Sequence, residues 1–282
     1  MTRVAIVTDS ASDLDVDVAA AAGITVVPLL VSFGDEEFRT GVDITITEFY
    51  RRLLAPGAPF PRTAACPPAA FQVEFERLLA DGASAVVCIT VGGRLSATQN
   101  SARLARDAIP GRPIHVIDSG TASMSQGILA LLGAEASGAG ASAVSIVAQL
   151  EARRRDARLY VALHTLEYLR RGGRISAAQA AIGSVLSVKP IITLADGVVE
   201  TTDKPRTHGK ARTRLLELLT AQPLERIAVL HTGATDADAF ADELASRAGV
   251  DRSAVSVGLI GPTVAPHIGP GAIGAAFLAR TQ

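Results

Sequence analysis

The chain has 282 residues, 48% apolar and 20% charged, the composition of a folded globular protein and not of a disordered or fibrous one. Lys plus Arg number 27 against 28 for Asp plus Glu, a net charge of −1, which argues against nucleic-acid or anionic-membrane binding driven by bulk charge. Cys66 and Cys88 are the two cysteines and neither sits in a CxxC pair, so a disulfide framework or zinc–thiolate site has no support and a reducing compartment is expected.

Along the chain, short β-rich runs alternate with longer helical patterns. Residues 4–7 predict a strand, 14–22 a helix, 24–30 a strand, and 47–54 a helix opened by an N-cap threonine. Residues 71–79 and 101–108 predict helices, with the buried-strand candidate 85–90 between them and a further strand at 114–117. The small-residue segment 138–142 starts the next helix, 144–155. Strand 159–163 follows, then the apolar segment 184–194, which ends at the turn Asp196-Gly197 and pairs as a hairpin with 198–202. Residues 212–219, 227–231, 236–248 and 255–260 continue the helix–strand alternation. This order implies a mainly parallel sheet in the first half. At ~150 residues per domain the length suggests two domains, assigned to residues 1–157 and 158–282. Met1-Thr2-Arg3 runs into the first strand with no signal-peptide core, and no apolar stretch reaches the length of a membrane span; a cytoplasmic location is expected.

Polar clusters fall at the ends of predicted strands, where open α/β sheets place their ligand crevices. In Thr8-Asp9-Ser10-Ala11-Ser12-Asp13-Leu14, Ser12 or Asp13 can cap the following helix. In Gly92-Gly93-Arg94-Leu95-Ser96-Ala97-Thr98, glycines let the backbone curve into a helix start whose free amides suit an anion, with Ser96 either donating to a carboxylate or capping the helix. Thr63 lies in a proline-rich stretch, 61–68, that reads as a surface loop. The formal GxGxxG match from Gly269 to Gly274 lacks the following helix, second strand and acidic residue of a dinucleotide site. Its neighbour His267 is instead held near a turn, where it can offer a proton or hydrogen bond. A GxSxG elbow, a phosphate loop, HExxH and a set of metal ligands are all missing from the sequence.

Taken together, Thr8-Asp9-Ser10, Leu95-Ser96-Ala97-Thr98, Val116-Ile117-Asp118-Ser119, the run from Tyr168 through Gly172-Gly173-Arg174, Lys189-Pro190, Lys204-Pro205-Arg206 and His267-Ile268-Gly269-Pro270-Gly271 resemble the DegV family of bacterial fatty-acid-binding proteins. The resemblance implies two α/β domains with a long-chain fatty acid, such as palmitate, held between or beneath them and no cofactor or metal. It implies that Thr63 and Ser96 bind the carboxylate and that Arg206 and His267 orient the head group or its phosphate. Arg174 then corresponds to a residue linked to docking a fatty acid kinase. The implied role is a non-enzymatic carrier that presents the carboxylate to that kinase and carries the acyl phosphate towards phospholipid synthesis, with transient membrane contact and no nucleic acid. Two departures stand out: Ala64-Ala65-Cys66 replace the family's usual polar Ser-Gln-Pro after the threonine, and Ser96-Ala97-Thr98 replaces Ser-Gly-Thr.

Two other readings stay open at this point. One is an acyl-transfer enzyme with Ser96 as nucleophile and His267 as base. The other is a binder of small carbonyl substrates like dihydroxyacetone kinases. With aromatics at 4% and no tryptophan, an acyl tunnel would be lined by Ala, Val, Leu and Ile.

Overall fold

The computed structural model describes residues 3–175 and 188–280. The expected apolar segment at 184–194 therefore falls partly outside the described residues.

Four strands, β1 (Val4–Asp9), β2 (Ile24–Val27), β6 (Ala85–Thr90) and β7 (Ile114–Asp118), form an all-parallel sheet in the order β2-β1-β6-β7. Every residue of β1 and of β6 is buried, as expected of parallel strands covered on both faces. Alternation still sorts them: Ala5, Val7, Val86 and Cys88 meet α3 (Pro68–Ala80) and α4 (Thr98–Asp107), whereas Val4, Ile6, Val87 and Ile89 meet α5 (Met124–Gly138) and α6 (Ala143–Arg153).

Two local features reshape the start of the chain. The predicted strand 24–30 is two strands in two sheets, because Pro28 has no N–H for a ladder and breaks pairing between β2 and β3 (Leu30–Phe33). β3 lies between β4 (Glu36–Arg39) and β5 (Arg62–Ala64) in an antiparallel three-stranded sheet. Thr63 is thus in an extended edge strand and not in the surface loop its prolines suggested. The helix expected at 14–22 is the shorter α1 (Val16–Ala21), and its cap is Asp15, whose carboxylate accepts from the amides of Asp17 and Val18. Ser12 and Asp13 do not cap it. Helix α2 (Ile46–Leu53) is capped by Thr45, whose Oγ1 accepts from the Glu48 amide.

The second sheet has six strands in the order β10-β9-β8-β13-β11-β12. They are β8 (Ala157–Ala162), β9 (Ile191–Ala195), β10 (Val198–Asp203), β11 (Leu224–His231), β12 (Val255–Leu259) and β13 (Ile273–Ala279), antiparallel except for the β11–β12 pair. The β9–β10 hairpin turns through Asp196 and Gly197 at φ of 45° and 75°, the two left-handed residues that a tight hairpin requires. β13 is central, although the sequence pattern predicts no strand there. Gly274 makes it fit: a Cβ at that position would collide with Tyr160 and Val161 of β8.

Helices α8 (His208–Leu219) and α9 (Ala237–Ala248) cover the outer face through Leu215, Leu216, Phe240 and Leu244, packed on Val229 and Phe277. On the inner face, Leu159, Val161, Ala276 and Leu278 share a core with Ile128, Leu129 and Leu132 of α5. The fold is two α/β domains, with the buried helix α5 packed against strands of both sheets. Two short helices complete the described residues: α7 (Glu167–Arg171) and α10 (Ala265–Ile268). Among the described residues, no helix is long and apolar enough to cross a membrane.

Candidate functional site

A cavity of about 230 Å³ lies between the two sheets. Val91 and Ala122 contribute from the first domain and Leu159, Val161, Ile192 and Leu230 from the second, so its walls are mainly aliphatic. Four residues chosen from the sequence line it: Thr63, Ser96, Arg174 and His267.

Each arrives by a different device. β5 pairs with β3, placing Thr63 opposite Val31, and strand alternation leaves Thr63 half-buried between the exposed Arg62 and Ala64. Ser96 rides a loop pinned at several points. The Val91 amide donates to Asp9 Oδ2 at 2.8 Å, that of Gly92 to the Thr121 carbonyl at 2.8 Å, and that of Gly93 to Asp118 Oδ1 at 3.0 Å. A Cβ at Gly92 would press to 3.2 Å on the backbone of Gly120 and Thr121, so the loop's close approach favours glycine there. Ser96 Oγ exchanges a 2.8 Å hydrogen bond with Thr98 Oγ1 and accepts weakly from the Thr98 amide at 3.3 Å. It both supports the start of α4 and faces the cavity.

His267 sits on α10 with Nε2 2.9 Å from Thr63 Oγ1. Its Nδ1 is buried without a partner among the described residues, in the space left open because residue 172 is glycine; a Cβ there would strike the ring. Burial, followed by the charge of Arg174, pulls the imidazole down to about 4, so the ring is neutral at physiological pH. Arg174 is held by two carbonyls, donating through Nε to Leu95 at 3.2 Å and through Nη1 to Gly172 at 2.7 Å. Instead of projecting freely from a helix boundary, it lines the cavity beside His267. Arg206 does not join this group. It is exposed between β10 and α8, and lines neither this cavity nor the groove outside it.

That groove, about 720 Å³, shares Thr63, Arg174 and His267 with the cavity and adds Arg62, Arg171 and Phe60. The Arg171 guanidinium lies 4.0 Å from the Phe60 ring centroid. The polar cluster therefore stands where an apolar interior opens onto a basic surface. Ala64 and Ala65 line the interior; Cys66 is buried, its thiol pushed up to about 12 by desolvation. None of the three side chains replaces the hydrogen-bonding capacity of the family's usual loop.

The Thr8-Asp9-Ser10 motif turns out to build walls. Ser10 Oγ accepts from the Leu29 amide at 2.9 Å, and the Ser10 carbonyl accepts from Thr263 Oγ1 at 3.1 Å. Asp13, left-handed at φ 52°, accepts from Ser123 Oγ at 2.5 Å and from the Gly261 amide at 2.9 Å. Burial raises its carboxyl to about 7 and that of Asp9 to about 6. Tyr50 donates to the Ile260 carbonyl at 2.8 Å. Thus the segment that carries Thr263 and His267 is fastened to the first domain by four contacts that span more than 200 residues of sequence, the Thr63–His267 bond included. Ser123 and Thr263 line the cavity although no motif marked them; only their contacts with Asp13 and Ser10 reveal them.

His267 bonds Thr63 and, among the described residues, makes no hydrogen bond to Ser96, so the Ser96–His267 contact of the acyl-transfer reading is not formed. Among the described residues, no group of three or more His, Cys, Asp or Glu is placed to hold a metal ion.

The family model described as "Uncharacterised protein, DegV family" matches residues 3–280. A DegV domain-containing protein of Streptomyces coelicolor is 36% identical over 99% of both chains. Among solved structures, a DegV family protein from Thermus thermophilus, described for fatty acid binding, superposes with a TM-score of 0.90 at 35% identity, covering 99% of this chain and 100% of that one. DegV of Bacillus subtilis, described as a fatty acid binding protein, gives 0.87 at 30% identity over 99% and 100%. A stearic acid-binding protein from Eubacterium ventriosum gives 0.88 at 29% over 99% and 98%.

Proposed function

Because the chain belongs to the DegV family, we propose that its inter-domain cavity binds a long-chain fatty acid, with Thr63 and Ser96 at the carboxylate and Arg174 and His267 beside them. The observation that carries this reading is the junction of an aliphatic interior with hydroxyls and one fixed cation at its mouth. Each buried methylene contributes ~0.8 kcal/mol, so about fourteen of them supply on the order of 11 kcal/mol before ordering costs. The mouth has only to replace the carboxylate's lost water. A neutral His267 suits that task, since it can relay a hydrogen bond to Thr63 while Arg174 supplies the charge.

In this reading the protein is a cytoplasmic carrier and not a catalyst. It presents the carboxylate to a separate fatty acid kinase and then carries the acyl phosphate towards phospholipid synthesis. The basic groove with Arg62 and Arg171 supports a phosphorylated head group at the mouth, whereas Arg206, exposed and lining neither the cavity nor the groove, adds no support of its own. The boundary proposed between residues 157 and 158 is supported by β8, which starts at Ala157 and belongs to the second sheet.

Native mass spectrometry of gently purified protein, followed by extraction of the bound molecule, tests the proposal. Added mass matching a long-chain fatty acid is expected; an empty protein that ignores added palmitate would sink it. The mostly aliphatic lining gives a small polyol little to bond, so co-purification of a sugar would equally overturn the reading.

A further inference from the structure

A second cavity of about 290 Å³ lies at the seam between the sheets. Its walls are the turn 119–121 after β7, the entry to β8 and the end of β9. Tyr160 and Leu194 line its apolar part, and the Tyr160 ring is stacked at 23° on Phe277. Three arginines line the remainder against one carboxylate, Asp196.

These charges are poorly matched. Arg154 pairs with Glu151 at 3.1 Å and donates to the Asp118 carbonyl at 3.3 Å. Among the described residues Arg155 has Asp196 as its one carboxylate partner, at 3.8 Å. Arg158 donates through Nε to the Arg155 carbonyl at 2.9 Å and, among the described residues, has no carboxylate partner. Thr121, which also lines the cavity, is almost fully buried, and its Oγ1 has no hydrogen-bond partner among the described residues.

Like charges gathered around a concavity repel unless an anion enters. Guanidinium forks match phosphate oxygens two at a time, and two of these three have capacity to spare. An apolar wall beside them suits the body of an organic molecule better than a bare ion.

We propose that this cavity binds a small organic phosphate, its phosphoryl group held by Arg155 and Arg158 and its apolar body lying against Leu194 and Tyr160. The site shares Leu194 with the inter-domain cavity, but the proposal does not depend on what that cavity holds.

The test is titration of the full chain with phenyl phosphate, inorganic phosphate and benzyl alcohol, followed by calorimetry and by amide chemical shifts. Phenyl phosphate should bind tighter than inorganic phosphate, shift residues 119–121 and 193–196, and weaken as salt is raised. Benzyl alcohol should not bind. Removing a guanidinium–phosphate pair costs about tenfold or more, so Arg155→Gln/Arg158→Gln should bind far more weakly. Both side chains are exposed, which keeps the fold out of question. Arg103→Gln, an exposed arginine on α4, should bind as the parent does. Failure of phenyl phosphate to bind, equal affinity in the double variant, or equal weakening by Arg103→Gln would each overturn the assignment.

Discussion

Replacing Thr63 by valine keeps the shape of the side chain and removes its hydroxyl, so it isolates one hydrogen-bonding group at the mouth. In the proposed complex that hydroxyl contacts an ionised carboxylate. Such bonds contribute about 1.5–3 kcal/mol, and at 1.4 kcal/mol per decade the expected loss of palmitate affinity is about 10- to 140-fold. A second effect is separable from the first. His267 Nε2, now 2.9 Å from Thr63 Oγ1, would lose that partner, while Nδ1 has none among the described residues. The newly unpaired Nε2, in a largely buried position, destabilises the protein by about 1–3 kcal/mol. That cost is present with and without ligand, so it should lower the melting temperature but largely cancel from the affinity. The chain has no tryptophan to report binding, so calorimetry on delipidated protein is the suitable assay, with hexadecanol as the neutral comparison ligand. The parent should prefer palmitate to hexadecanol, and Thr63→Val should lose most of that preference. A variant that binds palmitate within twofold of the parent would refute the placement of the carboxylate.

Four further outcomes are expected. Gly172→Ala puts a methyl group where the His267 ring now lies, so palmitate affinity should fall at least as far as for Thr63→Val; an equal loss in a His267→Ala background would disprove the mechanism. Val161→Phe, on the buried cavity wall, should abolish acyl binding while the empty protein keeps or gains melting temperature as the void fills; retained binding counts against the cavity. His267 is held near 4, so between about 4 and 6.5 the unfolded chain binds a proton that the native one does not. Stability of the delipidated protein should therefore fall on acidification through that window, and His267→Gln should flatten the slope in urea unfolding. Asp13 has the opposite sign: its carboxyl, raised to about 7, holds a proton more tightly in the native state, so its contribution declines as pH rises from about 4 through 7. The substitution Asp13→Asn introduces a side chain that tolerates the left-handed backbone and should remove that decline; an unchanged difference between pH 5 and pH 8 would show that Asp13 is not its source.

Much of the first domain was legible because its strands are short, continuously apolar and punctuated by polar turns. The hairpin at Asp196-Gly197 was legible for an equally local reason, since two left-handed residues in succession have few other uses. Helix α5 and strand β13 were not. Both are rich in Ala and Gly; β13 is buried nearly throughout and α5 over most of its first ten residues, so neither shows there the contrast between a wet and a dry face on which periodicity depends. β5 was obscured by flanking prolines, and the break at Pro28 mattered only because a second sheet was waiting for the residues beyond it.

The composition, the alternation of strand and helix, and the ordered motifs determine a two-domain α/β protein of the DegV family, because those signals reside in neighbouring residues. Tertiary structure alone decided that Thr63 and His267, 204 positions apart, share a hydrogen bond. It also decided that Arg174 lines the cavity beside His267 while Arg206 faces water. Two arginines of identical chemistry cannot be told apart by local pattern. A cavity, likewise, is the space that side chains from distant strands leave unfilled, and that space exists only once the two sheets have closed on α5.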